Sequence, residues 1–99
     1  MTSQTPLPSI ESAEALALEA LMWLAGQPEL LPDFMAQTGA GVDSLRDAAA
    51  DPSFLGAVLD FLLSEDERVI AFCDNNRRAY TEPMQARAVL PGGNLPHWT

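Results

Sequence analysis

The side chains best suited to chemistry are few and scattered along the chain. Cys73 and His97 each stand alone on different predicted elements, whereas a zinc site needs four soft or nitrogen donors, or three and a water. Cys73 reads as a small core hydrophobe, and no metal or other cofactor is expected. Nucleophilic catalysis needs a Ser, Cys or Thr held beside a base. The one histidine, His97, lies among the last three residues with nothing in its segment to orient it. Asp43, Asp47 and Asp51 recur at i, i+4 spacing, but the D-x-D-x-D-G pattern of a calcium loop is absent. Asp43 and Asp51 read as helix caps and Asp47 as a solvated position. Gly39-Ala40-Gly41 follows no strand and reads as a helix stop with a turn, not a phosphate cradle. Carboxylates are plentiful, but a glycosidase needs a deep cleft around two of them, and a small helical bundle offers little depth. The chain reads as non-catalytic.

With catalysis set aside, surfaces carry the functional expectation. Phe34, Gly39, Leu45 and Ala48 stand roughly where a helix-turn-helix places its inner residues and turn glycine. The would-be recognition helix, residues 44–50, has only Arg46 as a base and no Asn or Gln to read adenine, so a structural corner is expected and direct nucleic-acid binding is not. Leu16 and Trp23 on the first helix, with Glu19 between them, are the candidate partner-binding residues, provided that helix leaves part of its apolar arc uncovered. Trp98 is a further candidate, because a lone aromatic in a Pro-containing tail can anchor in a partner's pocket. Arg77 and Arg78, the one basic pair, are accounted for by the helix macrodipole and by Asp74 one turn earlier.

The elements that must position these residues are helices throughout. Fifteen Ala and fourteen Leu against six Val plus Ile, without strict alternation, disfavour strands. Residues 1–8 form a leader, expected to be flexible, residues 9–90 a single helical domain, and residues 91–99 a flexible tail. Ser9 caps a first helix over 10–25, with Gly26 as its left-handed stop. Its expected apolar arc includes Ile10, Ala13, Leu16, Ala17, Leu18, Ala20, Leu21, Trp23, Leu24 and Ala25. A second helix spans 28–38, opened by Pro28 and Pro32 and stopped at Gly39, and a short third spans 44–50. Asp51-Pro52 opens the fourth, 52–63, which is so apolar that it should lie at the centre. Ser64-Glu65-Asp66-Glu67 matches a capping box for a fifth helix with Val69, Ile70, Phe72 and Cys73 inward. Thr81-Glu82-Pro83 starts a last helix that ends near Leu90. The fold class is all-α, a compact bundle of five to six short helices.

Ninety-nine residues suffice for one modest core. A single cysteine excludes an intrachain disulfide framework. Five Arg, no Lys and fourteen Asp plus Glu give a formal charge of -9, which repels phosphate backbones and anionic membranes and favours a basic protein partner. The N-terminus lacks the positive region of a secretory signal, and the longest nearly continuous apolar run, 54–63, is interrupted by Asp60 and falls short of the ~20 residues that span a bilayer. A cytoplasmic location without membrane attachment is expected, and self-association is left open.

One set of residues resembles a known family. Glu11-Ser12-Ala13-Glu14-Ala15-Leu16 with Leu24-Ala25, Phe34 to Gly39, Leu45-Arg46, Ala50 to Leu55, Val58 to Leu63 and Glu65 to Phe72 together resemble a small bacterial family, domain of unknown function 3572, over roughly residues 9–90. The resemblance implies a compact all-helical protein and carries no activity, cofactor or site residue onto this chain. The expected function is a non-catalytic protein–protein interaction or regulatory adaptor. The alternative is an acidic nucleic-acid mimic that inhibits a DNA-binding protein, with Asp43, Asp47, Asp51, Glu65, Asp66 and Glu67 standing in for phosphates.

Overall fold

A computed structural model describes residues 8–39, 41 and 44–90. The leader over 1–7, the Asp43 cap and the 91–99 segment with His97 and Trp98 lie outside the described residues. Six helices and no strand make up the described residues: α1 (Ile10–Ala25), α2 (Leu31–Thr38), α3 (Leu45–Ala48), α4 (Pro52–Leu63), α5 (Asp66–Asn76) and α6 (Glu82–Val89). The all-α expectation holds.

α4 is the central element. The Asp51 carboxylate accepts the Ser53 N–H at 2.9 Å, satisfying one of the free donors of the first turn, and Pro52 occupies a position that needs no N–H. Leu55, Gly56, Val58, Leu59, Phe61 and Leu62 are buried, and α1, α2, α5 and α6 all pack on this helix. α1 starts as expected, with Ser9 Oγ accepting the Ser12 N–H at 3.0 Å. It packs on both α4 and α6 and buries Ala13, Leu16, Ala17, Ala20, Leu21 and Leu24. α2 is moored by Phe34, its one buried residue, whose ring meets Phe54 and Phe61 edge-on at 5.7 and 5.3 Å.

Several local expectations are corrected. Gly26 ends α1 at φ -92°, in the right-handed half of the map, with its N–H bonded to Trp23 O; left-handed stops close α2 at Gly39, φ +75°, and α5 at Arg77. Pro28 does not open a helix. The Leu30 and Leu31 N–H groups both bond to Gln27 O, closing a turn before α2 begins. The capping box at Ser64 does not form, because Ser64 Oγ donates to Phe61 O at 2.7 Å and accepts from Arg68 Nη1 at 2.8 Å; Glu65 holds the cap position without a side-chain bond. Ile70 faces solvent while Val69, Phe72 and Cys73 are buried. α3 is a single turn with no buried residue.

No helix among the described residues is long and apolar enough to cross a membrane.

Candidate interaction surface

The two faces of α1 decide which of its residues can meet a partner. At 100° per residue the buried positions gather on one side. Leu16 is 4% exposed and Ala20 fully enclosed, because α4 and α6 together cover this arc. The apolar arc read from the sequence is therefore too wide. Ile10, Leu18 and Ala25, assigned to it, face solvent. Leu18 and Met22, 37% and 74% exposed, join Ala15 and Ala25 in an outward stripe with residues three and four apart in alternation. Such spacing forms one continuous seam along a helix. Glu11 lies on the same stripe and Glu14 beside it, and α1 contains no base.

Glu19 is occupied within the fold. Arg78 Nε and Nη2 donate to its two carboxylate oxygens at 2.8 and 2.7 Å, while Nη1 reaches Glu82 at 2.7 Å. Arg78, just past α5, thus ties α1 to α6. Its hydrogen bonds hold the Glu19 and Glu82 carboxyls below the usual carboxylate range, and Glu82 also accepts the Ala79 N–H at 3.1 Å. The expected pairing of Arg77 and Arg78 with Asp74 is corrected. Asp74 instead accepts the Tyr80 hydroxyl at 2.7 Å, which raises the phenol's pKa, and Arg77 caps α5 in the left-handed region at φ +58°.

Trp23 sits at the edge of the buried arc, half-buried, its ring edge-on to the enclosed Phe72 with centroids 5.9 Å apart. It lines a cleft of about 480 Å³ together with Gln27, Glu29, Leu30, Glu65, Glu67, Arg68 and Ala71. The base in this cleft forms no ion pair with its acids. Arg68 lies with its guanidinium carbon 4.0 Å from the Phe61 ring centroid and donates to Phe61 O at 3.0 Å and to Ser64 Oγ. Among the described residues Glu29, Glu65 and Glu67 enter no ion pair; the pairs present are Arg78 with Glu19 and Glu82, and Arg87 with Asp60. A second groove, about 500 Å³, runs between α5 and α6 past Leu63, Val69, Ile70, Tyr80 and Met84.

Residues 10–93 match the family described as a protein of unknown function, DUF3572. The chain belongs to the DUF3572 family. No match was found among curated proteins or among solved structures. Of the partner-facing residues read from the DUF3572 chain, the fold buries Leu16, clamps Glu19 and leaves Trp23 at the wall of a cleft; Trp98 lies outside the described residues. Sequence reasoning missed the Leu18–Met22 stripe. Its signal was the three-and-four spacing from Ala15 to Ala25, masked by a helix that is apolar on nearly every side. The Arg68 arrangement carries no sequence signal, since it depends on where the end of α4 meets α5.

Proposed function

We propose that this DUF3572 protein is a non-catalytic interaction or regulatory adaptor that receives a basic amphipathic helix of a protein partner along the outer face of α1. The supporting observation is the Ala15–Leu18–Met22–Ala25 stripe, exposed on a helix that carries acids and no base. A helix partner would bury the two large side chains and set its bases against Glu11 and Glu14. One cysteine, enclosed as a thiol, suits a reducing compartment, and we place the protein in the cytoplasm.

The test is Met22→Glu in a capture from source-cell lysate, followed by titration of the purified partner. Met22 is largely in solvent, so the variant keeps its helical circular dichroism; partner affinity should fall at least tenfold. Unchanged affinity overturns the reading. The acidic-mimic alternative rests on the exposed carboxylates of Asp47, Asp51, Glu65, Asp66 and Glu67, none of which is ion-paired among the described residues. Under it, binding is steeply salt-dependent and indifferent to Met22→Glu.

A further inference from the structure

We propose that the cleft beside Trp23 takes an arginine side chain from the basic partner, a site separate from the α1 stripe. The inference rests on the reading that the partner is basic and adds where, and by which side chain, it is read. The cleft combines an indole wall with three carboxylates supplied by two different segments: Glu65 and Glu67 at the start of α5, and Glu29 in the turn before α2. The first two are accounted for locally, since the α5 macrodipole favours negative charge at its N-terminus. Glu29, immediately before the cap of α2, is favoured in the same way and supplies its carboxylate from a separate segment.

The decisive feature is Arg68. It is the one base of the cleft, next to Glu67 and one turn from Glu65, yet it pairs with neither: its Nη1 donates to the Phe61 carbonyl and the Ser64 hydroxyl, and its guanidinium lies over the Phe61 ring. Glu29, Glu65 and Glu67, exposed and in no ion pair among the described residues, line an open cleft of about 480 Å³. A cation entering there meets three carboxylates against the single charge of Arg68, a net negative lining, and an aromatic wall. Cation–π attraction and carboxylate pairing add for one side chain in particular, because a planar guanidinium can lie against an indole and still donate to a carboxylate in its own plane. An ammonium gains the charge term without that geometry.

The experiment uses the full chain carrying Trp98→Phe, so that Trp23 is the sole indole, and follows its fluorescence. The probes are a blocked peptide of four Gly-Arg repeats and matched peptides with lysine or citrulline, the neutral isostere of arginine. The Arg peptide should change the emission saturably, binding at least about tenfold more tightly than citrulline and severalfold more tightly than lysine. The Glu65→Gln/Glu67→Gln double variant should weaken it about tenfold. Asp33→Asn/Asp47→Asn removes the same charge from exposed positions on α2 and α3 outside the cleft lining and should change it less than twofold. Unchanged emission, equal binding of citrulline, or equal loss in the two double variants overturns the site. If the site fails while partner binding still responds to Met22→Glu, the α1 reading stands; if Arg binding survives and the Met22 effect does not, the α1 reading falls.

Discussion

Phe34→Ala should undock α2 and remove much of the domain's stability. α2 has eight residues, too few to be helical in water without tertiary support, and Phe34 is its one buried side chain. Truncating an enclosed Phe costs about 3–5 kcal/mol, and each of its two edge-on ring contacts adds about 0.5–1.5 kcal/mol beyond area burial. The cost should therefore fall in the upper part of that range, against a total of about 5–15 kcal/mol for a domain. Phe34→Leu keeps most of the apolar burial and loses the ring contacts, so about 1–3 kcal/mol is expected. The assay is urea denaturation followed by far-UV circular dichroism, with limited proteolysis under native conditions. Phe34→Ala should lower the midpoint sharply and open the 30–38 segment to cleavage before the rest of the chain. A cost below about 1 kcal/mol, or equal costs for the Ala and Leu variants, would refute the claim that ring packing on α4 holds α2 in place.

Two other expectations follow from the arginines. Arg78→Met should cost about 1 kcal/mol at pH 7, the solvent access of Glu19 and Glu82 reducing what such charge-assisted bonds are worth when enclosed. Both carboxyls are held below their unfolded values, so the stabilisation is complete above the unfolded value of ~4.5 and is lost as pH falls through the depressed values; urea midpoints of wild type and variant should converge as the pH is lowered below that range. Arg77→Gly should raise the melting temperature by a few degrees, because it relieves a non-glycine side chain at φ +58°. A lowered midpoint by calorimetry would contradict it.

What the sequence disclosed depended on the range of each interaction. α4 was legible to the residue because Asp51 and Pro52 act within one turn, and α1 because Ser9 does. The start of α2 was misplaced because Pro28 is as acceptable in the Gln27 turn as in a first helical turn. The Ser64 pattern was present, but a competing carbonyl and Arg68 took the hydroxyl, an outcome set by how α4 and α5 meet. Arg78 was assigned to Asp74, four residues away, when its partner Glu19 is 59 residues distant; only the packing of α1 on α6 brings them together. The candidate surface was the least legible part. Leu16 and Leu18 are alike in composition and two positions apart, and the fold sends them to opposite sides of one helix.

The enclosed thiol of Cys73 makes the protein a recorder of its own opening. Its sulfur is 3.5 Å from Ala79 O, and desolvation raises its pKa, so the folded form offers a reagent neither access nor thiolate. Labelling by a thiol reagent therefore counts excursions in which the end of α5 separates from the bundle, and its rate relative to a free thiol gives the frequency of that event. Because the chain has a single cysteine, the wild-type protein reports this clock without substitution. The same reading taken with a partner bound would tell whether occupancy of the cleft, on the same helix one turn and more toward its start, is transmitted to its far end.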